Sequence, residues 1–350
     1  MAYFIFIAFG FVLAGCSWLK PRSAPYCGAI FFIYAVLFAG MRGASMDYDN
    51  YVSMYQDMTR ASGGLWQRLH IGKDPLFGAL IMLIQVLGLS SQWLFMVSAF
   101  VGLAFKAKSF QRVFGSIMTP LFALVCGSYF LHDYTQVRVA IALGFSFMAL
   151  VELCEGRKSR WMVYSVIALG FHVSTFAIVA FELPLVFGVR YNLWMVVASL
   201  FALLCVAYIG NLLAIIANFD GRAANYEELG NVSDHMMIVA PVKLVGLGIL
   251  TFLLVKGSVE EAKVRILKLS CLFAFVGYGF LMIFKDNASG FGFRIYELFD
   301  AFSVFIIADA LLGRKLISWG IALGYCAGLL LLLMDSKLLL PYEFADMGLW

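Results

Sequence analysis

Long apolar blocks fill nearly the whole chain, and the charges gather at the breaks between them. The breaks are of two kinds. One carries Lys and Arg: Lys20/Arg22, Lys106/Lys108/Arg112, Arg157/Lys158/Arg160, Arg190, Lys256/Lys263/Arg265/Lys268 and Arg314/Lys315. The other carries Asp, His, Tyr and isolated Arg. Blocks approaching about 20 apolar residues are the mark of membrane-crossing helices, and Lys/Arg-rich loops mark the cytoplasmic face. The second class of break then forms a polar surface on the opposite side.

With the basic breaks on one face, the blocks alternate as spans over 3–19, 27–41, 91–105, 114–131, 134–153, 161–172, 174–189, 193–216, 237–255, 266–284, 294–312 and 316–334. Both termini come out external. Residues 75–105 must cross once but are long for one pass, so 75–90 is read as a re-entrant or interfacial helix broken at Gly88-Leu89-Ser90-Ser91. Residues 161–189 must cross twice, which places a break at Gly170-Phe171-His172. Irregular backbone at depth needs protein or a water-filled cavity around it. The competing reading, one span over 161–181, would invert everything downstream. The external segments are 42–74, 131–134, 217–236, 285–294 and 335–350. The fold class is all-α: a polytopic transmembrane bundle of about twelve spans plus the re-entrant helix, one integral membrane domain over 1–350, with 42–74 and 217–236 shaping the site.

Composition closes off other classes. Hydrophobic residues make up 63% and charged residues 13%, and mean hydropathy is +0.91. A soluble domain carries about 25% charged residues. Transmembrane β-strands would be ~10 residues of alternating polarity, unlike these blocks. The net charge of +4 is spread over short loops, which argues against nucleic acid. The seven cysteines form no CxxC and read as small buried hydrophobes. Leu13-Ala14-Gly15-Cys16 resembles a lipoprotein processing site, but no basic residue precedes the apolar run, as a secretory signal requires. It is read as part of an uncleaved first span.

Ionisable groups inside a bilayer cost about 2.5–3.5 kcal/mol each at a helix centre and point to function. Arg138 lies about one turn into a span opened by His132-Asp133-Tyr134-Thr135-Gln136. Arg294 opens another, with Glu297 and Asp300 at successive i+3 steps. His172 sits at the break. Each has a bland alternative: a snorkelling or structurally paired arginine, a satisfied core histidine, and, for Tyr48/Tyr51/Tyr55, an interfacial aromatic belt. Asp300 and Asp309 read as pairing with neighbours or facing the cytoplasmic end. Taken together, arginine forks suit phosphate oxygens, and carboxylates and rings suit sugars. A His or Glu suits removal of a proton from a hydroxyl. No nucleotide-binding or metal-type motif is present. A lipid-linked pyrophosphate sugar, which brings its own leaving group, fits this set.

At these residues the chain resembles the EpsG-like, Wzy-type polysaccharide polymerases of bacterial inner membranes. Those carry an Arg after the second span and a G-T-D-Y-x-x-Y element, where this chain has Arg42 and Ser45-Met46-Asp47-Tyr48-Asp49-Asn50-Tyr51. Their E-P-x-F element is matched by Asp74-Pro75-Leu76-Phe77, with Asp in place of Glu. Their I-R-Q-x-x-A element is matched loosely by Val137-Arg138-Val139-Ala140-Ile141-Ala142, with Gln136 before the arginine. Phe171-His172-Val173-Ser174 matches F-H-x-S, and Arg294-Ile295-Tyr296 with Glu297 resembles their late span start.

The resemblance implies a metal-independent glycosyltransferase with a GT-C-like architecture. It would join oligosaccharide repeats carried on undecaprenyl pyrophosphate, as donor and acceptor, at the outer side of the inner membrane. It needs no cofactor, and a chain-length regulator is the candidate protein partner. Arg138 and Arg294, with Arg42, are then expected to bind the donor pyrophosphate. His172, then Glu297, then Asp47 are the candidate bases. Asp47, Tyr48, Tyr51, Asp74, His132, Asp133 and Gln136 are expected to hold substrate. A lipid-linked oligosaccharide flippase, an O-antigen ligase and a sugar acyltransferase are the competing classes.

Overall fold

The structure, a computed structural model, describes residues 1–62, 64–189, 234–285, 289–313, 316–335 and 339–345. The described chain is helical throughout, with one isolated β-bridge, Arg42 to Phe344. In order the helices are α1 (Ala2–Leu19), α2 (Ala24–Gly40), α3 (Tyr48–Arg60), α4 (Leu65–Ile71), α5 (Pro75–Val86), α6 (Ser91–Phe114), α7 (Met118–Cys126), α8 (Val137–Cys154), α9 (Lys158–Phe171), α10 (Phe176–Val186), α11 (Asp234–Val255), α12 (Glu261–Phe284), α13 (Ser289–Asp300), α14 (Ser303–Leu312) and α15 (Leu316–Asp335). Among the described residues six stretches are long and apolar enough to cross a membrane: α1, α2 with its preceding turn, α6, α8, α12 and α15. The expected span 193–216 and nearly all of external segment 217–236 lie outside the described residues.

The chain divides into two compact units, residues 1–176 with 308–350 and residues 177–307. In the first, α8 is the central element. Every one of its residues is buried except Arg138. By contrast, only 17% of Leu316–Leu333 is buried, so α15 presents most of its apolar surface outward, as a lipid-facing helix does. Lipid tails are as apolar as leucine, so helices in a bilayer associate through close packing of small residues rather than through the hydrophobic effect. The crossing of α6 with α8 is of this kind. A Cβ added at Gly144 would lie 2.7 Å from the Gly102 carbonyl oxygen, and one at Gly102 would lie 2.9 Å from that of Ala140. Backbone cannot yield as a side chain can. Gly144→Val is therefore expected to cost roughly 1–3 kcal/mol, as overpacking does, seen as a lower melting temperature of the detergent-solubilised protein.

Several elements fall where the sequence pattern puts them. Residues 75–90 contain a separate helix, α5, closed by Leu87 and by Gly88 at φ +69. Helix α9 ends at His172, whose backbone is extended (φ −158, ψ 111), and a 3-10 turn over Val173–Thr175 leads into α10. Two expected spans differ. Residues 114–131 hold only the nine-residue α7, about 13.5 Å long at 1.5 Å per residue. Consecutive non-helical turns follow it to Gln136. Residues 294–312 are divided at Ala301-Phe302 between α13 and α14. External segment 42–74 is not a loop but carries the helices α3 and α4.

The first unit has two distinct ends. At one, a cavity of about 660 Å³ is lined by residues including Trp18, Pro21, Gln111, Ile117, Leu312 and Trp319. These come from chain breaks with basic residues, so those breaks share one end. Arg112 and Arg157, each paired with the buried Glu152, follow the same pattern at the end of α6 and the start of α9. At the other end the late segment 340–345 straps across Arg42. Gly43 N–H donates to Glu343 O (2.7 Å) and Ala345 N–H to Met41 O (2.9 Å). The Tyr3 hydroxyl donates to Leu340 O (2.7 Å) and the Tyr342 hydroxyl to Phe38 O (3.1 Å).

Candidate active site

Arg42 follows the end of α2, and its side chain is fully enclosed. Gln92, buried near the start of α6, donates to the carbonyls of Gly40 and Arg42, satisfying acceptors that a helix end leaves orphaned. The guanidinium donates through Nε to Ser45 Oγ (3.3 Å) and through Nη1 to Ala39 O. It stacks over Phe95 (4.7 Å to the ring centroid) and Tyr134 (5.1 Å). Among the described residues no carboxylate pairs with it, and Nη2 has no hydrogen-bond acceptor. A buried cation held by ring faces and a few dipoles, with no carboxylate in direct ion-pair contact among the described residues, suits an anion brought by a ligand.

The second arginine sits on the far side of an aromatic cluster. Tyr48 stacks on Phe95 at 4.7 Å, Tyr51 meets Phe95 and Phe77 edge-on at 6.1 and 5.7 Å, and Arg138 lies 5.9 Å from the centroids of both Tyr51 and Phe77. Helix α3 supplies Tyr48 and Tyr51 from its inward stripe, with Met54 and Met58 continuing it into the same core cluster. This is the i, i+3/i+4, i+7 spacing of an amphipathic helix. The tyrosine stripe is thus packed inward, with Tyr51 beside Arg138. Asp47 begins α3, half-buried, and accepts from the Asn50 amide at 3.5 Å.

Arg138, Asp74 and His172 converge. Arg138 Nη1 pairs with Asp74 Oδ2, and His172 Nδ1 lies 3.6 Å from the same oxygen. Asp74 Oδ1 accepts from the Val173 backbone N–H at 3.1 Å. Burial pushes the Asp74 carboxyl up, but His172, Arg138 and the Val173 amide outweigh it and hold it below the usual carboxylate range. Arg138 Nε has no hydrogen-bond partner among the described residues, so part of its fork is not used by Asp74.

Other expected residues are placed differently. Asp133, expected to hold a sugar, directs both oxygens at Lys106 Nζ (2.6 and 2.7 Å), and both residues are almost wholly buried. Lys106 in turn is not a cytoplasmic anchor. It lies inside α6, which continues to Phe114. His132 Nδ1 lies 3.0 Å from Gln136 Oε1, joining the two in the turns before α8. Both oxygens of Asp74 face protein groups, one the Val173 amide and the other Arg138 and His172. Arg294 and Glu297 lie on α13 of the second unit, Arg294 exposed and Glu297 buried. In that unit Asp300 pairs with Lys243, whose Nζ lies 5.9 Å from the Tyr296 ring centroid.

Sequence reasoning did not single out Gln92, Lys106 or Lys243 as working residues. For Lys106 a signal existed: at 100° per residue, Lys106 and Lys108 point to opposite sides of one helix, so only one can face a common interface.

A model of the family described as the EpsG family matches residues 26–344 of the chain. No curated protein and no solved structure matches it.

Proposed function

The chain belongs to the EpsG family, and from that premise we propose that it is a glycosyltransferase that polymerises lipid-linked oligosaccharide repeat units at the non-cytoplasmic face of a bacterial inner membrane. The observation that supports the reading is the placement of the buried Arg42 and the partly buried Arg138 on either side of one aromatic cluster, with a histidine at a helix break beside Arg138. The reading includes a bundle of about twelve spans with a GT-C-like architecture. Its substrates are undecaprenyl-pyrophosphate-linked oligosaccharides, for O-antigen or capsule.

The chemistry follows from the side chains. The acceptor hydroxyl oxygen forms a bond to the donor anomeric carbon as the bond from that carbon to the pyrophosphate oxygen breaks. Positive charge builds on the sugar, as in oxocarbenium-like transfer. Negative charge builds on the departing pyrophosphate, and Arg42 and the unused donors of Arg138 stabilise it. The pyrophosphate leaves on its lipid without needing a proton. His172 takes the proton of the acceptor hydroxyl. Tyr48 and Asp47, partly exposed at the start of α3, are the groups assigned to meet sugar rings and hydroxyls, with Tyr51 buried behind them. Arg294 and Glu297 belong to the second unit, and no step is assigned to them.

Deleting the gene is expected to remove the polymer ladder from lipopolysaccharide or capsule gels and leave a single-repeat band. Restoring it with His172→Ala is expected to give normal amounts of membrane-inserted protein and the same single-repeat band. Loss of the single-repeat band as well would place the step upstream or at ligation or transport. Normal chain lengths with His172→Ala would remove the imidazole from the mechanism.

A further inference from the structure

We infer that the groove between the start of α1 and the end of α2 seats the hydrocarbon chain of a polyprenyl diphosphate, and that the strap over 340–345 is the movable wall beneath which the diphosphate meets Arg42. The inference rests on the proposed reading of the chain as a polymerising glycosyltransferase for the identity of the lipid, and adds to it where that lipid lies.

Three observations converge on it. First, the groove has the chemistry of a hydrocarbon seat. It measures about 420 Å³, and its lining includes Ile5 of α1, Leu37 and Phe38 of α2, Met41, and Tyr342 and Phe344 of the strap. No lining residue carries a charge. Pockets that hold small ligands span roughly 300–1,000 Å³, so the groove has room for the chain units nearest the diphosphate. Ile5 and Leu37 are 54% and 41% exposed, on helices long and apolar enough to cross a membrane. A chain therefore enters sideways from the bilayer. Second, the groove borders an uncompensated cation. Met41 directly precedes Arg42, and Phe344 is the bridge partner of Arg42. Arg42 is fully enclosed, has no carboxylate in ion-pair contact among the described residues, and keeps Nη2 without an acceptor. A cation buried without a partner is destabilising until an anion joins it. A lipid without phosphate satisfies only the groove, and a free phosphate only the arginine. A lipid anionic at one end satisfies both. Third, the cover over Arg42 is lightly held. Among the described residues the strap meets the chain at one isolated bridge rather than a ladder. It lies flat on Gly43, where a Cβ would come within 3.2 Å of the Phe344 and Ala345 backbone. Glu343 and Phe344 are exposed. Segments with few buried contacts open locally at low free energy. Tyr342 is the latch: its ring stacks on Phe38 at 4.5 Å, and its hydroxyl donates to the Phe38 carbonyl. The same side chain lines the groove, so a chain seated there bears on the group that holds the strap down.

The test uses the purified full-length protein in lipid nanodiscs and a polyprenyl diphosphate with a diazirine in the isoprene unit next to the diphosphate. Labelled peptides are mapped by mass spectrometry after illumination. In the wild type, label is expected within 2–5, 34–41 and 342–344. The matching polyprenyl alcohol, without the anion, is expected to label these peptides about tenfold less, the size of effect of one charged hydrogen bond. Leu37→Trp fills the groove from a lipid-exposed position and is expected to lose most of the label. Tyr342→Phe keeps the ring, removes the latch hydroxyl and is expected to label faster. Equal labelling by diphosphate and alcohol overturns the inference. So does label that Leu37→Trp leaves unchanged, or a phosphatidylglycerol with the same tag that labels as well as the diphosphate. An unchanged rate with Tyr342→Phe overturns the strap as the moving wall. Elongation by wild-type membranes is measured separately. Protein that labels as expected in membranes that do not elongate overturns the polymerase reading and leaves the lipid seat standing. Membranes that elongate, with no label in these peptides, overturn only the seat.

Discussion

Arg138→Ala is expected to abolish long-chain polymer while the protein remains inserted in the membrane. Arg138 is the one residue of α8 that is not buried, in the helix that forms the centre of the first unit. Its Nη1 is committed to Asp74, and its Nε is without a partner among the described residues. That division lets one side chain hold the polar cluster together and still receive an anion. Removing a preorganised charge-stabilising donor costs about 10²–10³-fold in rate, and here the alanine also leaves Asp74 without its guanidinium. Arg138→Lys separates the two roles. Lysine keeps the charge but is a point donor without the planar fork, so the protein is expected to remain inserted and polymer length not to recover. Full polymer with lysine would mean that charge pairing with Asp74 is all that the position requires. Gel profiles of polymer set against immunodetected protein in membranes read both outcomes.

The largest stability effect is expected at Lys106. Its ammonium and the Asp133 carboxylate are fully enclosed and satisfy one another through two hydrogen bonds. Lys106→Met leaves a buried carboxylate uncompensated, a change that typically costs 3–5 kcal/mol, so the solubilised protein should melt at markedly lower temperature and accumulate poorly. The double variant Lys106→Met/Asp133→Leu removes both charges at similar volume. It is expected to recover most of the loss, since apolar replacement of a buried pair is often neutral or stabilising. The difference between single and double variants measures the coupling directly. If the double variant melts no higher than the single one, the pair is not what holds α6 to the turns before α8. Elongation by the double variant then tests Asp133 as a sugar ligand independently of folding.

The features legible in the sequence were those set by interruptions of apolar pattern. The helix break at His172 and the separate helix over 75–86 both follow from where a run of apolar residues becomes too long or too short for one crossing. The convergence of Arg138 with His172 was legible only as chemistry, because the two lie in different helices and Asp74 joins them from a third. Pairing geometry was not legible. Asp74 and Asp133 look equally available as sugar ligands when read along the chain. Each is paired with a cation that the sequence places 64 and 27 positions away. Lys106 was misread because two more cations follow it, and proximity in sequence suggested a common loop. The helix instead continues past all three. The short α7 was missed because nine buried residues followed by tight turns have the same composition as a span.

The strap over Arg42 has a consequence for the order in which the protein is made. Tyr342 and the Phe38 carbonyl it binds are 304 positions apart, so Arg42 emerges from the ribosome long before the segment that encloses it. During most of translation this guanidinium has its ring partners from α6 and the turns before α8 at best, and no cover. The nascent chain therefore carries an open cationic pocket until residues 340–345 have been made.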